Sequence, residues 1–371
     1  MNILVVFTYG YSLKTWVESG TLERELSIYR ELQNKFDHKF TFLTYGDISD
    51  NEINIMNLDV DIIPIYKFQK KSKFKLIDIL KTIYFVLRNK KLFKQIDIVK
   101  QNQLQGSWIS IILKYLTGKP LFTRTGYDVY KFCLEENKKF LIKLFYLYLT
   151  KITIKFSNIY TVSNSTDFNY SKLKYSENKN LLLRPNWILP NEYIKKTKFS
   201  KKILCVGRLE DQKNFEYIIS EFEGSDFEID IVGIGSKKNN LQNLSIEKGV
   251  KVNFLNSLNN NDLIKLYSNY KYFISSSFYE GHPKTVLEAM HSGCIVYLSD
   301  ILNHSELVDH GVNGYLYNLK QGDLIKLFKD TINNDVLLDD ISYKAHTKVS
   351  NDFSLERAVI AENEDYKNIK N

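Results

Sequence analysis

The sequence predicts an α/β protein of two doubly wound, Rossmann-like domains facing each other across a cleft. Three observations carry this. Short apolar runs alternate with helical patterns from end to end, the mark of βαβ units and parallel sheets. The 371 residues suffice for two domains of ordinary size. A polar, proline-bearing break near the middle divides the alternation into two series.

The first series opens at residues 3–8. This apolar run has no basic segment ahead of it and no small-residue cleavage site, so it reads as a buried strand and not a signal peptide. Further strands are predicted at 40–44, 61–65, 96–100, 121–124 and 158–162, with helices near 20–33, 73–89, 108–116 and 138–156. Pro185 and Pro190 then disfavour helix, and 192–201 is polar and strongly charged. The second series places strands at 202–207, 228–233, 252–255, 272–276 and 294–298, and helices near 214–222, 241–248, 261–268 and 284–292. The expected domains are 1–190 and 191–350, with a C-terminal helix in 351–371 packing back on the first. Ligands in such sheets bind beyond the carboxyl ends of the strands, so the expected active site is the cleft between the domains.

Composition narrows the class. With 44% hydrophobic and 25% charged residues the chain is globular, not disordered. Cys133, Cys205 and Cys294 are too few and scattered for a disulfide framework or a zinc site, which suits a reducing compartment. No stretch reaches the ~18 apolar residues of a membrane span. The richest, 140–156, is broken by Lys143, Lys151 and Lys155. The expected location is cytoplasmic, peripheral at the inner face of the cell membrane.

Charge is unevenly placed. Residues 1–190 hold 29 Lys and Arg against 17 Asp and Glu, and 191–371 hold 22 against 26, so a half at +12 joins one at −4. The excess concentrates in 66–100, where 11 cations face Asp78 and Asp97 around a helical spacing of Phe74, Ile77, Leu80, Tyr84 and Leu87. One reading is a basic amphipathic segment, 70–94, lying on an anionic membrane. The other is a helix that packs its apolar face on the sheet and solvates its lysines. Nucleic acid is disfavoured, because no aromatic-interleaved basic motif accompanies the charge.

Two clusters can carry chemistry. Gly207 ends the strand 202–207, and Arg208 and Lys213 follow it, which delivers two cations to a strand's carboxyl end just ahead of a helix. They suit a diphosphate clamp, Arg through forked bonds and Lys as a point charge; a solvated loop with two surface cations is the alternative. After the strand 272–276 come Glu280, Gly281, His282, Pro283, Lys284 and Thr285, then Glu288. Pro283 suits the first helical position and Gly293 the residue past the helix end, and the free N–H groups around Lys284 and Thr285 offer an anion site. Carboxylates there would repel phosphate but match sugar or ribose hydroxyls. Taken singly, Glu280 reads as a loop charge and Glu288 as a helix-surface carboxylate.

Together these residues carry a resemblance. Gly207-Arg208-Leu209 with Gln212-Lys213-Asn214, then Glu280-Gly281 with Glu288-Ala289-Met290 eight positions on, resemble family 4 of the retaining nucleotide-sugar glycosyltransferases (glycosyltransferase group 1). Gly311-Val312-Asn313-Gly314-Tyr315-Leu316 is similar to the segment after that family's last motif. The resemblance is strong across 202–320 and weaker before. It implies the GT-B architecture, with the donor held mainly by the second domain. It also implies that Arg208 and Lys213 hold the donor diphosphate, that Glu288 binds the ribose and that Glu280 contacts the transferred sugar. Backbone from Gly281 to Thr285 would cradle sugar and phosphate, and Asn256 lies where the base is contacted. Gly233 and Gly235 resemble the family's turn at that strand end. Many relatives present a His after a mid-domain strand of the first domain. Here that region, 122–128, has none, which leaves Arg124, Tyr127 and Asp128, alongside Gly10 and Gly20 in the N-terminal loop.

The function so implied is transfer of a sugar, with retention, from a UDP- or GDP-type nucleoside diphosphate donor to a glycan or lipid-linked acceptor, in surface polysaccharide biosynthesis. Arg208, Lys213 and Glu280 would be the catalytic set, with no cofactor and no metal. Asp59 and Asp61 spell Asp-x-Asp but open a strand at the end away from the crevice. His282, His291, His304 and His310 show no metal spacing; His282 lies beside Glu280, and the others read as surface or satisfied histidines. A sugar-nucleotide epimerase of the same fold, and a non-catalytic binding or scaffold subunit, are the alternatives. Release of nucleoside diphosphate that requires an acceptor separates a transferase from both.

Overall fold

The computed structural model describes residues 1–370 except 56, 176–179 and 196–200, so part of the charged segment expected to link the domains lies outside the described residues. The chain divides into two units, Met1–Asn186 with Leu355–Asn371, and Trp187–Ser354. Trp187 and Ile188 already pack in the second unit: both are buried, and the Ile188 N–H donates to the Phe353 carbonyl at 3.0 Å.

The first unit is built on β1 (Asn2–Val6), β2 (Lys39–Thr44), β3 (Val60–Pro64), β4 (Ile98–Asn102), β5 (Leu121–Arg124), β6 (Ile159–Val162) and β7 (Leu181–Leu183). They form a parallel sheet in the order β3-β2-β1-β4-β5-β6-β7. Ile3 to Val6 are all buried, a continuous apolar run and not an alternation, because helices cover both faces. The expected strand at 96–100 sits two residues later, and β7, only three residues long, carries too little pattern to be foreseen. The helix Leu355–Lys370 completes this unit by packing on the helix Leu22–Phe36. Its Glu362 pairs with Lys100 of β4, both buried, and its Asp365 takes a forked pair from Arg184 at 2.7 and 2.8 Å.

Of the two readings of the basic segment, the one that packs the apolar stripe on the sheet is ruled out: the helix Lys75–Arg88 buries Asp78, Thr82, Phe85 and Val86, while Phe74, Ile77, Leu80, Tyr84 and Leu87 are exposed.

The second unit is built on β8 (Lys202–Val206), β9 (Glu228–Val232), β10 (Lys251–Leu255), β11 (Tyr272–Ser275), β12 (Ile295–Ser299) and β13 (Tyr315–Tyr317), parallel, in the order β10-β9-β8-β11-β12-β13. Successive residues feed opposite faces. Ile203, Cys205, Ile295 and Tyr297 join one apolar cluster with Phe215 and Phe328; Leu204, Val296 and Leu298 join another with Leu287, Met290 and Val349. The sheet is therefore doubly wound. The expected helix 284–292 is Lys284–His291, and Pro283 stands at its cap, one position ahead of the first turn. Gly293 closes it at φ +80°, where a Cβ would come within 2.7 Å of the Ile194 carbonyl oxygen.

Candidate functional site

β8 lies between β9 and β11, so the segments leaving β8 and β11 emerge side by side where the strand order reverses. These are the two segments that carry the expected residues. Close backbone packing sets the floor of the site. A Cβ on Gly233 would stand 1.9 Å from the Gly207 carbonyl oxygen, and one on Gly235 2.3 Å from that of Leu209. Only glycine lets these loops touch.

Arg208 is exposed at the strand end and donates from Nη2 to Gln212 Oε1 at 3.0 Å. A short turn, Asp211–Lys213, then brings the chain back towards β11. Gln212 Nε2 donates to the Tyr279 carbonyl at 2.8 Å, and the Gln212 carbonyl accepts from the Phe278 N–H at 3.0 Å. Ser276 Oγ donates to the Asn214 carbonyl at 2.7 Å. With the loops laced in this way, Lys213 Nζ forms an ion pair with Glu280 Oε1, which also accepts from Ser277 Oγ at 2.6 Å. Burial pushes the Glu280 carboxyl up, but the charges of Lys213 and then His304, with the Lys213 and Ser277 bonds, more than offset it and hold it below the usual carboxylate range. At neutral pH Glu280 is an acceptor.

Glu288 is buried, which corrects the reading of a helix-surface carboxylate, and its Oε1 accepts from Asn260 Nδ2 at 3.0 Å. Gly281, His282 and Pro283 are buried too, with the His282 ring 5.1 Å from that of Phe353. The Lys284 ammonium lies over the Trp187 ring at 5.1 Å, and Thr285 follows in the first turn. Asn256 is exposed just beyond β10, two strands from β8, and is not drawn into this cluster.

Two histidines expected at the surface or merely satisfied are buried. His291 stacks on His346 with centroids 4.6 Å apart. His304 is fully buried: its Nδ1 bonds the Ser299 carbonyl at 2.8 Å, while Nε2 has no partner among the described residues. Burial lowers its pKa, against the pull of Glu280. His310 is exposed. Gln212, Ser277, Asn260 and His304 are the residues that sequence reasoning missed. The first two stand inside the motifs already singled out. Asn260 and His304 arrive from other elements, with no local signal.

In the first unit, Gly10 follows β1 at φ +82°, and Gly20, at φ +69°, closes the helix Leu13–Glu18 with its N–H on the Val17 carbonyl. Arg124 ends β5 and donates to the Pro185 carbonyl at 3.0 Å, while Tyr127 packs on Phe132. Asp128 is not available as a site group. It caps the helix Val129–Glu135 by accepting from the Lys131 N–H, and takes the Tyr175 hydroxyl, both at 2.8 Å. Asp61 lies within β3, and Asp59 is tied through its backbone to Gln33. Among the described residues no group of three His, Cys, Asp or Glu is placed to hold a metal ion.

Residues 191–348 match the model of the family described as glycosyl transferases group 1. An uncharacterized glycosyltransferase of Methanocaldococcus jannaschii is 35% identical over 36% of this chain and 36% of its own length. One from Haemophilus influenzae is 30% identical over 48% of this chain and 52% of its own, so these matches span about a third and a half of the relatives. The UDP-Gal:alpha-D-GlcNAc-diphosphoundecaprenol alpha-1,3-galactosyltransferase of Escherichia coli is 25% identical over 75% of this chain and 76% of its own. Among solved structures, sucrose-phosphate synthase of Thermosynechococcus elongatus superposes with a TM-score of 0.81 at 14% identity, covering 100% of this chain and 99% of that one. Anabaena HepE in complex with UDP and glucose gives 0.76 at 14% identity, covering 99% and 100%. The fold is that of GT-B glycosyltransferase structures.

Proposed function

We propose that the chain transfers a sugar, with retention at the anomeric carbon, from a UDP- or GDP-type nucleoside diphosphate donor to a glycan or lipid-linked acceptor, in the building of surface polysaccharide. One observation carries the reading: two loops laced at the switch point of the second unit, with Arg208 and Lys213 on one and Glu280 on the other. The family match over 191–348 and the donor and acceptor named for the Escherichia coli relative support it.

In this reading the exposed Arg208 guanidinium and the Lys213 ammonium take the diphosphate. Glu280 holds Lys213 in place before the donor arrives and accepts from a hydroxyl of the transferred sugar, while Glu288, steadied by Asn260, accepts from the ribose. As the glycosidic bond breaks, negative charge grows on the leaving diphosphate. Cations and helix N–H groups fixed beforehand stabilise that charge without reorganising, the role a metal ion plays elsewhere. The acceptor attacks on the face the diphosphate leaves, and the departing phosphate takes its proton. A lipid-linked acceptor puts the reaction at an anionic membrane face, with 70–94 of the first unit as the contact.

The test is a thermal-shift screen of UDP- and GDP-sugars, followed by release of nucleoside diphosphate with and without acceptor. Acceptor-dependent release, lost in Arg208→Ala, supports the reading. Interconversion of donor sugars with no acceptor present would make the chain an epimerase.

A further inference from the structure

Three helices of the first unit lie in one layer: Ser107–Thr117 packs against both Lys75–Arg88 and Phe140–Phe156. A helix on the surface of a globular unit turns its apolar stripe inward. The two outer helices here carry more apolar residues than the core covers. On Lys75–Arg88 and its cap residue Phe74 the outward band is Phe74, Leu76, Ile77, Leu80, Tyr84 and Leu87, exposed from 46% at Ile77 to 71% at Phe74 and Leu76. On Phe140–Phe156 the buried residues are Leu149, Thr150, Thr153 and Ile154, and Leu141, Phe145, Tyr148 and Ile152 form an exposed stripe at spacings of four, three and four. Tyr115, 65% exposed, adds to it from the helix between them. Contiguous apolar surface of this kind marks an interaction site.

Charge says what covers it. Residues 67–94 hold ten Lys and Arg, and 138–155 hold Lys138, Lys139, Lys143, Lys151 and Lys155. Across 67–94 and 137–156 there is one acid, Asp78, and it is 1% exposed, taken up by the Tyr9 and Tyr66 hydroxyls and the Ser72 N–H. The layer therefore offers bulky apolar groups among cations, with the exposed acids Glu135 and Glu136 at its margin, ahead of the helix Phe140–Phe156, and Glu136 paired with Lys138. A second copy of the same face would set like charges against each other. A nucleic acid would leave the aliphatic side chains uncovered. An anionic bilayer takes both.

We infer that this layer is a membrane-docking face, and that both outer helices insert apolar side chains into the headgroup–acyl boundary, Phe140–Phe156 as well as the basic segment around Lys75–Arg88. Delivery of a lipid-linked acceptor as its purpose rests on the transferase reading; the contact itself does not.

Flotation of the full chain with vesicles of phosphatidylcholine, with and without phosphatidylglycerol, tests it. The chain is expected to bind the anionic vesicles, less as salt is raised. Leu76→Ser with Leu80→Ser, and separately Leu141→Ser with Phe145→Ser, are each expected to lower partitioning about tenfold. Both pairs sit on the surface, so melting temperature and turnover of a short soluble acceptor should match the parent. Failure of the parent to float, equal binding to both vesicle types, or parental binding by the Leu141 and Phe145 pair would overturn the inference. So would a concentration-dependent dimer that either pair dissolves. If the soluble acceptor is never turned over while flotation behaves as expected, the transferase reading fails and the docking face stands.

Discussion

Lys213 and Glu280 each sit in a place that neither charge would tolerate alone, the side chains being 14% and 7% exposed. Removing Arg208 or Lys213 takes away a hydrogen bond to a charged group, roughly 1.5–3 kcal/mol, so Arg208→Ala or Lys213→Ala should lose about ten- to a hundredfold or more in kcat/KM. The two should differ in pH dependence. Burial raises the Glu280 carboxyl and Lys213 is the strongest influence pulling it back down. In Lys213→Met the acid limb of kcat/KM should therefore move to higher pH, while in Arg208→Ala it should stay where it is. If the two limbs coincide, Glu280 is not the group that titrates. If fixed cations and N–H groups supply the positive charge, as proposed, EDTA should leave turnover intact; loss restored by magnesium or manganese would reopen Asp59 and Asp61. These charged residues were legible because strand ends are legible. Their partners Asn260 and His304 were not, since each reaches the site by folding across the sheet and local pattern holds no trace of that.

At the scale of elements, the helix Lys284–His291 is informative at both ends. Its start faces the site, and its end buries His291 against His346 on the neighbouring helix Asp335–Asp352. Burial, with the charge of His346 second, lowers the His291 pKa to about 4. An unfolded histidine titrates near 6.5, so below that pH the unfolded chain takes up a proton that the folded one refuses. The sign is fixed: stability is full above about pH 6.5 and falls as pH drops towards 4, by an amount of order 1–3 kcal/mol. His291→Gln should flatten the fall of the melting temperature between pH 7 and 4.5, and an unchanged slope would clear this histidine. Helix Lys75–Arg88 teaches a different lesson. The spacing of Phe74, Ile77, Leu80, Tyr84 and Leu87 identified a helix correctly, but period alone does not say which stripe faces the sheet. The inner stripe is small and partly polar, with Asp78 satisfied by two tyrosines and a backbone N–H.

At the scale of the whole chain, the alternation of strand and helix made two doubly wound sheets readable. The short edge strands β7 and β13 and the pairing of Lys100 with Glu362 were not, the last because it joins residues 262 apart. That pair is buried on both sides, and the Tyr366 hydroxyl also donates to Glu362. Glu362→Leu would strand the Lys100 charge and should cost about 3–5 kcal/mol in chemical denaturation, and Lys100→Met in the same chain should recover most of it. If the double variant is no better than the single, the loss comes from packing and not from charge. The return of Leu355–Lys370 to the first unit also sets an order of events on the ribosome. Domains ordinarily finish in the order they are made. Here residues 1–186 are made first, yet their last helix is translated only after every residue of 187–354 has been added, so the second unit can close while the first still lacks a wall. Chains ended at Ser354 and released from the ribosome should hold a protease-resistant second unit and a first unit open to cleavage.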